Sequence, residues 1–430
     1  MLSAGRINPA ADALERVFTI AALIFFTGAV LQVLYNPGGM SSVSTSVDPW
    51  NTRIQYFVYA SMLALSLRFG AEMLLAIRNS YPIWILIGLS LVSTTWSTVP
   101  LVTLKSAIWL TLSTLFGTYF ALRYDEDEQL MLLFATVLIC ALVSIFMLIA
   151  YPELGTEPGE ALGSWRGAFT RKNSLGRLMA LGVIVAILSA RRSVLIRPVL
   201  AVSVAIFGIL LVGSRSVTAL IAVTSVGVSL LAVPALRSRR VPPGRTATFA
   251  LAALAGVIAI IWLTYEPILT ALGRDTRLTG RDTLWIAVVA KALLHPVLGY
   301  GHVAFWRGGS DYLDVWKLVG WSPPHAHNGF LDVTLELGLV GLIAMVTCLL
   351  FALWKALQRL KLNVAGRDGA WPFLYLLFFL TINLAETSTL RHTNIYWVLF
   401  AVAVTNSVRR DAPVEGALPE EKTTPTGSVV

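Results

Sequence analysis

The side chains of this chain best suited to chemistry stand in the stretch PPHAHNGFLDVTLE, residues 323–336. His325 and His327 follow two prolines that stiffen the backbone, and Asn328 stands where a helix N-cap is expected. Imidazole titrates near neutral pH, so either histidine could act as a general base. The same pair could instead form a structural hydrogen bond or bind a metal. A third and fourth metal ligand are not evident, however, and only His302 is a further candidate nearby. No metal and no cofactor are therefore expected. Asn328, Asp332 and Glu336 recur every four residues and project from one helical face. A carboxylate inside an apolar run is costly unless paired, so arginines or histidines are its natural partners.

A second group is cationic. Arg171, Lys172, Asn173 and Arg177 lie in SWRGAFTRKNSLGR (164–177), Arg215 in GSRS (213–216), and Arg274, Arg277 and Arg281 in RDTRLTGRDTLW (274–285). Asn173 and Arg177 are four apart and share a face. Arg215 falls between two apolar runs joined by almost no loop, where an arginine costs a few kcal/mol or snorkels to lipid headgroups. Arg281 opens a helix, which is unfavourable for a cation unless an anion sits between it and the free N–H groups, or unless it is simply exposed there. Arg171 and Lys172 serve equally well as headgroup anchors or as anion ligands.

Such groups need a scaffold, and the composition dictates its kind. Of the 430 residues 56% are hydrophobic and 13% charged, which is a membrane protein's balance. The apolar runs have helical length and lack the alternation of an outer-membrane barrel, so the fold is read as all-α. Spans are expected near 17–35, 53–69, 81–96, 101–121, 130–151, 174–190, 198–213, 216–235, 247–265, 329–353, 371–385 and 395–408, a polytopic bundle of about twelve transmembrane helices. The first is read as a retained span, since it is too long for a signal peptide and ends without a cleavage site. The net charge of +9 fits orientation better than nucleic-acid binding. Arg68, Arg78, RRSVLIR (191–197), RSRRVPPGR (237–245), KALQRLK (355–361) and VRR (408–410) fall at every second connection, so both termini are expected in the cytoplasm. The opposite, periplasmic face then carries two long connections, 152–173 and 266–328, and the histidines and arginines above gather there against the orientation rule. An anionic ligand is the simplest reason.

The larger periplasmic loop, 266–328, contains an amphipathic helix of its own, TGRDTLWIAVVAKALLHP (279–296), with a Thr-x-x-Asp start and an apolar face of Trp285, Val288, Val289, Ala292 and Leu293 lying on the membrane surface. Residues 1–410 thus make one transmembrane domain, and 411–430 a disordered cytoplasmic tail. DEDE (125–128) is read as a solvated charge run, WRGGSD (306–311) matches no phosphate loop, and Lys105 snorkels. Cys140 and Cys348 sit in apolar runs as small hydrophobes.

In order along the chain, GAFTRKNSLG, SRS, GRDTLW, HPVLGYG and HAHNGFLDVTLELGLVGL resemble the O-antigen ligase and polymerase superfamily, in particular the ExoQ-like and Wzy-like polymerases of bacterial surface polysaccharides. The resemblance covers about residues 160 to 350. It implies an inner-membrane glycosyltransferase that moves a glycan from undecaprenyl diphosphate to an acceptor hydroxyl at the periplasmic face, without a metal, joining repeat units into exopolysaccharide or O-antigen. A ligase passing the glycan to lipid A core or to a protein differs only in its acceptor. In these terms Arg215 and Arg281 match the arginines that hold the lipid diphosphate, and the HAHN histidines match the base. His327 is favoured because it adjoins Asn328, with His325 kept beside it. Attack opposite the departing diphosphate would invert configuration, and Asp332 or Glu336 could orient the imidazole, which makes Glu336 a candidate catalytic residue. The expected partners are the lipid-linked donor, the glycan acceptor, the bilayer, a chain-length regulator and a flippase. A sugar or polysaccharide transporter is the rival class, but its ionisable groups would lie near the bilayer midplane rather than at one surface.

Overall fold

The computed structural model describes residues 9–29, 49–158, 163–190, 196–237, 256, 281–308, 310–362 and 369–409. Those residues form helices and no strand, apart from one isolated bridge between Thr156 and Trp165. The helices of nine residues or more are α1 (Pro9–Thr27), α2 (Pro49–Leu67), α3 (Gly70–Asn79), α4 (Tyr81–Val92), α5 (Pro100–Arg123), α6 (Glu126–Ala150), α7 (Lys172–Ala190), α8 (Arg197–Ser214), α9 (Val217–Arg237), α10 (Arg281–Ala292), α11 (Asp311–Val319), α12 (Gly329–Leu362), α13 (Ala370–Asn383) and α14 (Ile395–Val408). Six of them, α5 to α9 and α12, are long and apolar enough to cross a membrane, and α2 with α3 makes a seventh if that pair, bent by 97°, is one span. This is a helical membrane protein.

Helices lie at eleven of the twelve expected places. The twelfth, 247–265, falls outside the described residues, as do Arg274, Arg277 and the tail from residue 411. α1 begins at Pro9 rather than Val17, because its first turns are paired. Asp12 binds Arg16 and Arg123, Glu15 accepts from Arg68, Tyr119 and Arg123, and Arg16 reaches Glu128 at 2.5 Å. The DEDE run is likewise no solvated patch. Asp125 and Glu128 form a reciprocal capping box at the start of α6, and buried Glu126 pairs with Arg359 at 3.1 Å. Arg359 also donates to Asn406 O, and Arg409 to Ala121 O. These contacts collect the ends of α1, α5, α6, α12 and α14 into one polar end of the molecule. The histidines and most of the site arginines lie at the other.

α13 and α14 are apolar nearly all round and almost wholly buried, as central helices must be. Aromatic rings lock them together, with Phe379 stacked on Phe400 at 4.5 Å. Each has fourteen residues, so each is about 21 Å long, well short of the ~30 Å apolar layer. The connection between them, 384–394, is itself buried from Glu386 to Leu390. That burial positions the site.

α12 is one helix in name only. At Gly338 the backbone turns to φ 65°, ψ −163°, a conformation open in practice only to glycine. The break frees carbonyls and N–H groups that the stretch 296–301 then takes up: Tyr300 N–H donates to Leu335 O and Gly301 N–H to Glu336 O, while Leu339 and Val340 N–H donate to Pro296 O and Val297 O. A Cβ on Gly338 would lie 2.2 Å from Val297 O, and one on Gly299 2.6 Å from the carbonyl of Glu336. The glycines of HPVLGYG and LELGL thus allow two backbones to touch.

Outside this seam, α10 and α11 build a small second core of Leu284, Ala287, Val288, Ala292, Tyr300, Phe305, Trp306, Val315, Ala326 and Leu335. The buried face of α10 is rotated from the expected one: Leu284 and Ala287 are inside, whereas Val289 and Leu293 are exposed along with Ile286. Of the face expected to rest on lipid only Val289 and Leu293 stay exposed, while Val288 and Ala292 are buried in this second core and Trp285 packs against it.

Candidate functional site

The 384–394 connection supplies a group that the sequence alone does not single out. Glu386, buried, accepts from Asn173 Nδ2 at 2.7 Å and Arg281 Nη2 at 3.1 Å through one carboxylate oxygen, and pairs through the other with His327 Nδ1 at 3.3 Å. Arg281 also donates to Ala385 O at 2.7 Å. Arg177 donates to Asn173 O and Ser388 Oγ, and its guanidinium lies 5.2 Å from the centre of the Tyr396 ring. Side chains from α7, α10, the histidine loop and the 384–394 connection thus meet around one carboxylate.

His327 stands at φ 50°, an uncommon conformation for any residue but glycine. Its N–H donates to His325 Nδ1 at 3.2 Å, and the two imidazoles lie 4.2 Å apart. Between them, Ala326 is pinned from both sides: its N–H donates to Asp332 at 3.1 Å and its carbonyl accepts from Trp285 Nε1 at 2.9 Å. Asn328 caps α12, accepting from Phe330 and Leu331 N–H, and ties the cap to Leu384 O. A carboxylate can only accept, so His327 Nδ1 carries the proton facing Glu386, and in the neutral ring the lone pair is then on Nε2. A base oriented in this way can take a proton from a hydroxyl.

The electrostatics keep Glu386 an acceptor. Burial would raise the Glu386 carboxyl, but the hydrogen bond from His327 and the charges of Arg177 and Arg281 hold it well below the ordinary carboxylate range. Burial, followed by the charge of His327, pushes His325 well below the usual imidazole value. His325, His327 and Glu386 also bring one ligand atom each within 4.8 Å of one another, a spacing that could hold a divalent ion.

Glu336 does not orient these imidazoles. It pairs with buried His302 at 3.1 Å and Arg391 at 3.0 Å, and Asp332 accepts from Trp306 and Thr387 and lies 3.5 Å from Arg391. His302 is accordingly no third partner for the histidine pair. Asp332 and Glu336 follow Asn328 along one helical face, but both turn toward Arg391, and Asp332 meets the histidine loop through the Ala326 N–H and not through an imidazole. Glu386 takes the place expected of Asp332 or Glu336. Its one visible signal in the sequence is a carboxylate between two apolar runs on the arginine-rich side.

The remaining expected residues lie nearer the rim. Arg171 is exposed and faces Glu157 at 3.5 Å, while the Lys172 N–H donates to the same carboxylate at 2.9 Å. Arg215 closes α8 in a left-handed conformation, φ 51°, and its half-buried side chain has no hydrogen-bond or ion-pair partner among the described residues. Its neighbours Ser214 and Ser216 press on Gly176, where a Cβ would lie 2.6 Å from each. The α8–α9 corner therefore abuts the turn of α7 that carries Asn173 and Arg177. Arg215 and Arg281 share no contact among the described residues.

Residues 200–346 match the family model described as O-antigen ligase, a segment that includes Arg215, Arg281, His325 and His327 but not Glu386. The chain is 29% identical over 281 residues to the exopolysaccharide production protein ExoQ of Rhizobium meliloti (strain 1021), covering 62% of each chain. It is 26% identical over 125 residues to the protein named "Putative polysaccharide ligase RP358" of Rickettsia prowazekii (strain Madrid E), covering 28% of this chain and 29% of that one. The chain thus spans less than two thirds of the length of either relative. By these matches it is similar to the O-antigen ligase and ExoQ-like superfamily.

Proposed function

We propose that this protein transfers a glycan from a polyprenyl diphosphate, undecaprenyl diphosphate in bacteria, to a sugar hydroxyl at the periplasmic end of a bundle of about twelve spans whose termini are cytoplasmic. The observation that carries the reading is the His327–Glu386 pair set among Arg177 and Arg281. His327 Nε2 takes the acceptor's proton as its oxygen attacks the anomeric carbon. The bond from that carbon to the diphosphate breaks, and the lipid diphosphate leaves with the electron pair. Attack from the opposite side inverts the configuration, and no metal is required by this scheme. Arg177, Arg281 and Arg215 against Glu386 leave a net charge of two positive units, which matches a diphosphate diester and stabilises its growing charge on departure. The likeness to ExoQ favours polymerisation of repeat units into exopolysaccharide. Transfer of a finished glycan, as in a ligase, uses the same donor chemistry.

The test is purified protein in detergent with lipid-diphosphate oligosaccharide. Longer or transferred glycan is expected from the wild type, and at least about a hundredfold less from His327→Ala. No product from any lipid-diphosphate donor, with the protein folded, overturns the reading. Arg215→Ala and Arg281→Ala should each raise the donor KM, and unchanged kinetics in both remove the diphosphate site.

A further inference from the structure

Four tryptophans stand in the outer lobe between residues 281 and 328, and three have fixed structural duties. Trp285 donates its indole N–H to Ala326 O, Trp306 to Asp332 and Trp316 to Pro323 O. Trp321 differs. It is 38% exposed, its indole N–H has no partner among the described residues, and its ring centre lies 5.7 Å from the His327 imidazole.

Its position is built. Gly320 ends α11 at φ 77°, with its N–H on Trp316 O at 2.9 Å, and so turns the chain toward the histidine loop. Two residues beyond Trp321, Pro323 is held through its carbonyl by Trp316, and Pro324 follows. An aromatic face kept open to solvent on a pinned turn loses little conformational freedom when a ligand covers it. The apolar face of a pyranose ring suits an indole face, while its hydroxyls suit the free indole N–H.

We propose that Trp321 is an acceptor-binding residue on which a pyranose ring of the incoming glycan stacks, setting its hydroxyl beside His327. This deepens the transferase reading and rests on it. The competing role for such a side chain is an anchor at the lipid headgroups.

The experiment measures equilibrium binding, independent of turnover, of the repeat-unit oligosaccharide released by mild acid from the producing cell's own lipid-linked pool. Saturation-transfer NMR on the detergent-purified chain reads it out. Trp321→Ala should weaken binding about tenfold and Trp321→Phe less than about threefold. In turnover, Trp321→Ala should raise the acceptor KM by a similar factor and leave the donor KM unchanged. Equal binding by wild type and Trp321→Ala, or none by a folded wild type, overturns the proposal. Failure of the transferase reading looks different: oligosaccharide binds and depends on Trp321, yet no glycan is transferred.

Discussion

At the scale of the residue, two carboxylates that look alike in composition have separate duties. Glu386 holds His327, so Glu386→Gln should lower kcat at least about a hundredfold with donor KM little changed, read in the detergent assay. Glu336 instead neutralises Arg391, and Glu336→Gln should cost stability, about 3 kcal/mol by analogy with broken buried pairs, seen as a lower unfolding midpoint. His392 gives a pH test. Burial, then the charges of His302, Arg307, Arg391 and Lys105, lower its pKa to about 3. Between the ordinary value of about 6.5 and about 3, the unfolded chain binds a proton that the folded chain does not. Its contribution is complete above about pH 6.5 and is lost as the pH falls toward about 3, at up to about 1.4 kcal/mol per pH unit. His392→Gln should flatten that slope in denaturant titrations between about pH 6.5 and 4, and an unchanged slope would remove His392 as its source.

At the scale of the element, the helices were legible, six or seven of them of membrane-crossing length, because apolar runs of helical length admit few other folds in a membrane. The histidine loop, the Asn328 cap and the cations of α7 and α10 were legible as residue types at telling spacings. Glu386 was not, because its partners come from α7, α10 and the histidine loop, far away in sequence. Nor was the break in α12: LELGL reads as unbroken helix until HPVLGYG is laid against it. Gly338→Ala tests that seam. With a Cβ facing Val297 O at 2.2 Å and a backbone that alanine resists, it should destabilise the protein by about 3 kcal/mol and raise amide exchange across 296–301. Normal protection there would show that the seam adapts.

At the scale of the whole molecule, two polar ends are separated by apolar helices. One holds the Asp12, Arg16, Arg123 and Glu128 network, and the other holds the candidate site. If the site faces the periplasm, a cysteine replacing exposed Ser322 should react with a membrane-impermeant thiol reagent in intact spheroplasts, and one replacing exposed Asp127 only after lysis. The reverse pattern would turn the orientation over. Cys140 and Cys348 are buried and give a low background. The seam at Gly338 has one more consequence. Because main-chain atoms do the joining, the letters along it are free to drift wherever glycine is not demanded, but the count is not. One residue gained or lost between Pro296 and Gly301 would slip every bond in the register and carry the base-bearing loop out of reach of its carboxylate.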